Sequence, residues 1–232
     1  MKCIRNNWLN QKCPVQTFVF LNFQSSVVSS APLQPLKDIF VTERANIVKL
    51  APNLSRKALF PSSFERQNVQ YVLQLFNEKT VAALRMQKNS HSTADFIELI
   101  LRWWNIVNVK TPHKGWAKRL EDSYPITKTN FKNLFFFWEK FSSWLESWGS
   151  LNVPHCSDNK TRYGKLTLET FTALKHTCKT LVACSYYLLN EMNYNYILLA
   201  KFQTDQLEKR FGLYRSMSGC NYNVSCHTNS RV

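Results

Sequence analysis

The fold of this chain is indicated most directly by the stretch Leu199-Ala-Lys-Phe-Gln-Thr-Asp-Gln-Leu-Glu-Lys-Arg-Phe-Gly-Leu-Tyr-Arg215. Asp205 and Glu208 are three residues apart, so on a helix they share one face. Such a pair suits a metal centre, because Mg²⁺ takes oxygen ligands and assists phosphoryl transfer. The same spacing is also ordinary for a solvated helix face. The spacing alone leaves both interpretations open.

The longer stretch, with Gly219 and Asn221 after it, closely resembles P-element and THAP-domain DNA transposases. In that family the Glu of this stretch is the last acidic residue of an RNase H-like catalytic site. The resemblance places that role on Glu208 and the preceding acidic position on Asp205. It therefore implies that both residues are catalytic and bind Mg²⁺.

Three further parts of the chain carry the resemblance, in family order. Lys2-Cys-Ile-Arg-Asn-Asn-Trp-Leu9 is similar to the segment just after the second catalytic Asp of the family. Ala51-Pro-Asn-Leu-Ser55, Phe64-Glu-Arg-Gln-Asn-Val69 and Arg102-Trp-Trp-Asn-Ile-Val-Asn108 are similar to its nucleotide-binding insertion. The resemblance implies a mainly α protein, in which a helical insertion domain is flanked by two pieces of a split, incomplete RNase H-like fold.

The resemblance also implies a domain organisation. Residues 1–30 are expected to be the remnant of the RNase H-like domain that follows the second Asp, together with a linker. A GTP-binding-like helical insertion domain is expected over 31–150, a linker over 151–164, C-terminal RNase H-like helices over 165–216 and a tail over 217–232.

The first two catalytic aspartates of the family have no counterpart in the sequence, because Met1 falls just after the point where the second would lie. Glu208 with Asp205 cannot supply the ligand set that holds two divalent metals. We therefore expect a catalytically incomplete fragment of a P-element-like DNA transposase that retains nucleotide- and DNA-binding surfaces. The alternatives are the C-terminal part of an active transposase with a misassigned start, and a helical protein interaction module.

The nucleotide expectation comes from the family's GTP site, carried over position by position. The five positions are Asn53 (Lys in the family), Val69, Trp104, Asn105 (Asp in the family) and Asn108. A carboxylate accepts both hydrogens of the guanine N1–H and N2 amino edge, whereas an Asn amide offers one acceptor and one opposing donor. Guanine selectivity should therefore be weaker than in the family.

The charge balance favours an acidic partner. The 232 residues contain 30 Lys and Arg against 15 Asp and Glu, which gives a net charge of +15 and a pI near 9.6. A basic group lies at Lys110, Lys114, Lys118 and Arg119. Phosphate contacts supply most non-specific affinity for DNA, so this group is the predicted DNA-binding surface. The alternative is a merely basic protein without a nucleic-acid role.

The resemblance names the DNA of transposon ends as the partner and allows a guanine nucleotide and a homo-oligomer. The sequence shows no signal peptide and no transmembrane run, so a nuclear or cytoplasmic location is expected. Seven cysteines without a regular framework favour reduced thiols. A zinc site at Cys220, Cys226 and His227 is disfavoured, because no CxxC pair accompanies them.

Periodicity predicts the elements of the N-terminal half. We expect a helix over 1–13 with Ile4, Trp8 and Leu9 on its apolar side, and then a linker with one possible strand up to residue 30. Helices are predicted over 36–50 and from residue 61 or 63, the latter with Val69, Val72, Leu73 and Phe76 on one face.

The C-terminal half reads as longer helices. A broad apolar stripe follows Thr93 up to residue 107, and an aromatic-rich helix is predicted over 127–148. Thr167 is the predicted N-cap of a helix that reaches Leu189. A last helix over 197–215 is expected to turn apolar side chains to the interior, namely Phe202, Leu207 and Phe211.

Overall fold

A computed structural model describes residues 1–12, 14–152, 163–203 and 205–217, without the side chains of Lys114, Lys118, Asp205 and Gln206. The helices in this part of the chain are α1 Lys2–Leu9, α2 Gln34–Thr42, α3 Arg56–Leu59, α4 Val69–Leu75, α5 Glu78–Met86, α6 His91–Val107, α7 His113–Lys118, α8 Phe131–Ser150, α9 Leu168–Asn190 and α10 Asp205–Met217. The strands are β1 Thr17–Leu21 and β2 Val28–Pro32. The mainly α class is confirmed.

The apolar side of α1 faces the interior, as predicted. Ile4, Trp8 and Leu9 are buried, and the Trp8 indole N–H donates to the carbonyl of Ala31 at 2.9 Å. The helix ends at Leu9 instead of continuing to residue 13. Arg5 is fully buried as well, which the pattern did not predict.

The segment predicted as a linker with one strand is an antiparallel hairpin. The predicted strand is β1, and it pairs with β2 from Thr17 opposite Pro32 to Leu21 opposite Val28. Phe18 and Phe20 of β1 are buried, whereas β2 is polar and half exposed, so its sequence gave no strand signal. The tight turn is held by the Asn22 side-chain oxygen, which accepts from the N–H groups of residues 24 and 25.

The centre of the core is an aromatic cluster shared by α1, β1, α6 and α8. The ring of Phe96 lies 5.3 Å from those of Trp8 and Phe18 and 5.7 Å from that of Trp148. These four side chains are at most 1% exposed. The apolar stripes predicted for α6 and α8 are thus confirmed as the packing faces of the fold.

The helix predicted over 36–50 is wrong in its second half. α2 ends at Thr42 and one 3₁₀ turn, Glu43–Ala45, follows it. The Glu43 carboxylate accepts from the backbone N–H groups of Leu50 and Ala51 at 2.8 and 3.1 Å, and so folds the chain back. As a result Ile47 and Val48 are exposed to solvent.

The helix predicted from residue 61 or 63 begins later, at Val69, where Asn68 caps it. A 3₁₀ turn, Glu65–Gln67, occupies the earlier positions, and Ser62 and Glu65 exchange hydrogen bonds in a capping box. Val72 and Phe76 are buried as the pattern predicts, whereas Val69 is exposed.

The C-terminal helices divide into a packed and an open part. Thr167 caps α9 as predicted, because its hydroxyl accepts from the N–H of Thr170. The inward orientation predicted for the last helix is wrong, since Phe202, Leu207 and Phe211 are 47%, 59% and 57% exposed. This side of α10 is largely open to solvent, and the helix runs through Gly212 to Met217.

Candidate functional site

The basic segment that the sequence singles out begins where α6 ends. Val109 is buried, and its carbonyl accepts from the N–H of Ala200 at 3.3 Å. The Gln203 side-chain amide donates to the carbonyl of Val107 at 3.2 Å. These bonds attach the start of the segment to the 3₁₀ turn Leu199–Phe202, so its backbone position is fixed.

Helix α7 is held by a close backbone approach at Gly115. A Cβ atom there would lie 2.4 Å from the carbonyl oxygen of Ser123, so only glycine fits. The helix ends at Lys118 and is capped by Arg119, whose φ of 52° is left-handed and whose N–H donates to the carbonyl of Trp116. The chain then turns into the 3₁₀ turn Glu121–Ser123.

The structure places the four predicted DNA-binding residues on one short stretch. Lys110 and Arg119 are exposed at its two ends. Lys114 and Lys118 belong to α7, and their side chains lie outside the described residues. Lys128 is a further basic residue, nine positions after Arg119. Its ammonium donates to the side-chain oxygen of Asn193 at 2.9 Å.

A groove of about 550 Å³ lies beside this stretch, and we call it the α7 groove. Its walls include His113 and Trp116 of α7, Tyr124 and Thr127 of the following segment, and Asn195 and Tyr196. Trp116 is 68% exposed and Tyr196 47% exposed. Charge clustering alone did not point to these aromatic residues, although a Trp set among basic residues is a signal typical of nucleic-acid binding.

Two of the segments that line the α7 groove, 124–130 and 195–196, are held together by main-chain hydrogen bonds. Ile126 and Ile197 form an antiparallel bridge with N···O distances of 3.0 and 2.8 Å. The Asn130 side chain donates to the carbonyl of Pro125 and accepts from the N–H of Thr127, both at 2.8 Å. Asn193 lies in a left-handed conformation at φ 53° in the turn before this bridge.

A second cavity, of about 470 Å³, lies beside Asn105. Four carboxylates line it, those of Glu78, Asp95, Glu98 and Asp122. Arg85 bonds both Asp95 and Glu98, and hydrogen bonding to Glu98 raises its pKa. Arg102 pairs with Asp122 at 3.2 Å. Both arginines thus form ion pairs with carboxylates. Because the carboxylates outnumber the arginines, the cavity repels phosphates more than it attracts them.

The five predicted nucleotide-binding residues fall in two places. Asn105 lines the acidic cavity, and Trp104 and Asn108 are half-buried in the same part of α6. Asn53 and Val69 are exposed beside α3 and at the start of α4, which packs on α1 and α3. A triphosphate does not suit the acidic cavity, and GTP binding at these five residues stays a prediction.

The predicted Mg²⁺ ligands lie on the open helix α10. Glu208 is exposed, and the side chain of Asp205 is outside the described residues. Within the described part of the chain, no group of three or more His, Cys, Asp or Glu side chains is placed to hold a metal ion. The described residues therefore do not fit a two-metal centre, and metal binding at Asp205 and Glu208 stays a prediction.

The zinc candidates of the sequence, Cys220, Cys226 and His227, lie outside the described residues. Among the described thiols, burial raises the pKa of Cys178 to about 12, so this thiol is neutral and inert at neutral pH. In the described ranges, no helix is both long enough and apolar enough to cross a membrane.

These observations define a mainly helical protein with a hairpin in its core and an aromatic-walled groove beside a basic stretch of the chain. No family model matches the sequence, and no curated protein matches it. Among solved structures, the chain is similar to one described as the Drosophila P element transposase strand transfer complex, with a TM-score of 0.70 and 18% identity. The similarity covers 99% of this chain and 48% of that one, so the chain spans about half the length of its neighbour. At this identity the likeness shows a shared, transposase-like fold.

Proposed function

We propose that this chain is the helical part of a P-element-like DNA transposase and that it binds DNA through α7 and the groove beside it. The observation that carries the proposal is the basic stretch from Lys110 to Arg119, set along a groove walled by exposed aromatic rings. The fold of the neighbouring transposase supports the class of protein. The net charge of +15 supports a polyanionic partner.

Binding, and not phosphoryl transfer, is the function we propose for residues 1–232. Strand transfer would require oxygen ligands for divalent metals in addition to Asp205 and Glu208. A basic surface needs no such completion, because each Lys or Arg that meets a phosphate releases a counterion and adds to the affinity independently.

The experiment is a salt titration of DNA binding by the full chain, followed by fluorescence anisotropy of a labelled duplex. The test variant carries Lys110→Gln and Arg119→Asn, because Asn tolerates the left-handed conformation found at residue 119. The matched control carries Lys49→Gln and Lys88→Gln, which remove two exposed charges elsewhere. The slope of log K against log salt is negative, and each lost phosphate contact makes it shallower by about 0.9. The slope of the test variant should therefore be shallower than that of the wild type by about 2.

Two outcomes of the titration would contradict the proposal. If the test and control variants show the same affinity and the same slope, the α7 stretch is not the DNA-binding surface. If the wild-type chain fails to bind DNA at low salt, the proposed function is wrong. The exposed apolar side of α10, with Leu207, Phe211 and Met217, then favours the helical protein interaction module.

We retain nucleotide binding as a secondary proposal at Asn53, Val69, Trp104, Asn105 and Asn108. The carboxylates beside Asn105 oppose a triphosphate, and the Asn amide lacks the second acceptor that guanine needs. We therefore expect GTP and ATP to bind with similar, weak affinity, and Asn105→Asp to favour GTP. Calorimetric titration of both nucleotides checks this, and a strong native preference for GTP would contradict it.

A further inference from the structure

We propose that the α7 groove receives an unpaired base of a single-stranded stretch of nucleic acid, which stacks on the indole of Trp116. The inference rests on the proposed DNA-binding function and specifies what one part of that surface recognises.

Trp116 is a large apolar side chain that is 68% exposed and yet held in place. The helix that carries it is fixed by the contact of Gly115 with Ser123 and by the left-handed residue Arg119. The ring of Tyr124 lies 6.1 Å from the indole at an angle of 58°, and so supports it without stacking on it. A stacking surface that is rigid before binding loses little entropy when a ligand arrives.

The α7 groove is large enough to hold a base, and Tyr196 lines it in addition to Trp116. Its volume of about 550 Å³ is within the range of sites that enclose small organic ligands. Tyr196 lies next to Ile197, which is bridged to Ile126. Tyr196 also borders an adjacent groove with Tyr194 and Phe202, so exposed aromatic rings continue beyond the first site. A series of such rings suits successive bases of one strand.

Polar groups at the groove can meet the edge of a base. Asn195 lines the groove, and no hydrogen bond of its side chain is seen within the described residues. Its amide offers both a donor and an acceptor. Asn130 lines the groove too, but its amide is already bonded to the backbone on both sides. Asn195 is therefore the residue we assign to the base edge.

The charge around the groove favours nucleic acid over an apolar or proline-rich peptide. Residues 110–130 contain five basic side chains and two acidic ones, and one of the acidic pair, Asp122, is bonded to Arg102. A phosphate backbone beside the groove would meet Lys110, Arg119 and Lys128. A duplex covers the faces of its bases, so only an unpaired base can reach an aromatic wall.

The test compares single-stranded and duplex DNA on the full chain. The probe is an oligothymidine with one 2-aminopurine, either alone or paired with its complement, and the readout is both affinity and 2-aminopurine quenching. Trp116→Leu should weaken single-strand binding about 5- to 160-fold and abolish quenching, since a stacked base contributes about 1–3 kcal/mol. The salt slope should not change, because no charge is lost. Trp116→Phe should restore most of the affinity.

The matched control is Phe136→Leu, which removes an aromatic ring with the same 68% exposure from α8 and should leave binding and quenching unchanged. The inference is overturned if Trp116→Leu binds the single strand as well as the wild type, or if it weakens single strand and duplex equally. Either result leaves the proposed DNA binding intact, provided that the salt slope of the wild type persists. Absence of DNA binding by the wild type overturns both.

Discussion

The aromatic core and the helix α10 both carry large apolar residues, which end in opposite environments. Trp8, Phe18 and Phe96 are fully buried, whereas Leu207, Phe211 and Leu213 of α10 are more than half exposed. Apolar residues recur at helical spacing over the length of α6 and α8, whereas of these three in α10 only Leu207 and Phe211 are four residues apart. An apolar residue on a helix is therefore buried only where another element is present to cover it.

The partner elements explain the difference. α6 lies against α5, the hairpin, α8 and α1, and the indole N–H groups of Trp8, Trp144 and Trp148 all donate to backbone carbonyls. α10 has no comparable neighbour among the described residues. The core should therefore govern stability, and α10 should contribute little to it.

The largest expected effect compares one aromatic residue from each region. Trp8→Ala removes a fully buried indole and its bond to Ala31, and should lower the free energy of unfolding by about 3–5 kcal/mol. Phe211→Ala, in α10, should change it by about 0.5 kcal/mol or less. Urea denaturation measures both. Similar losses for the two variants would show that α10 is packed in solution.

A smaller effect is expected at the buried guanidinium that joins α1 to the segment before α4. Arg5 donates to the carbonyls of Glu65 and Arg66 at 3.3 and 2.9 Å, and burial lowers its pKa. Arg5→Met keeps the apolar volume but leaves those carbonyls without this donor, so we expect a loss of about 1–3 kcal/mol in urea denaturation. Arg44→Met, on the surface, is the control. An unchanged stability of Arg5→Met would mean that these bonds make no net contribution.

The smallest effect near neutral pH is a pH dependence carried by Cys178, which develops only above pH 9. The unfolded chain loses the thiol proton near the ordinary pKa of 9.0, but the folded chain keeps it up to about 12. The stabilising contribution is therefore complete below pH 9 and declines as the pH rises, by at most about 1.4 kcal/mol per pH unit. Cys178→Ala should remove that part of the alkaline decline in urea denaturation.

A chemical readout accompanies the titration. Iodoacetamide should modify the exposed Cys3 well before Cys178, since the reactive species is the thiolate. Equal rates of modification at the two cysteines, or an alkaline decline that is identical in Cys178→Ala, would contradict the burial of this thiol.

Much of the fold could be predicted from the sequence, because long stripes such as those of α6 and α8 bury their apolar faces and Thr167 caps a helix locally. The misses have tertiary causes. Glu43 ends a helical pattern by bonding to backbone eight residues away, β2 forms because β1 pairs with it, and the exposed face of α10 has no described partner. None of these causes is visible in a local window of sequence.

The candidate site was predicted only in its charges. Lys110 and Arg119 follow from the clustering of basic residues, but the groove itself depends on the bridge from Ile126 to Ile197, which joins segments about 70 residues apart. Tyr196 and Asn195 could not be linked to Trp116 without that contact. Trp116 could have been proposed as a nucleic-acid contact from the sequence alone, since an aromatic residue among lysines is a typical signal of such binding.

The most direct test of the assigned nucleic-acid surface is hydrogen exchange of the full chain with and without a saturating single-stranded oligonucleotide. We expect slower exchange in peptides from residues 108–130 and 193–203, which form the α7 groove and the segments attached to it. We expect no change in α1 or α10. Protection confined to α10, or no protection over 108–130 while the DNA is bound, would contradict the assignment of the nucleic-acid surface.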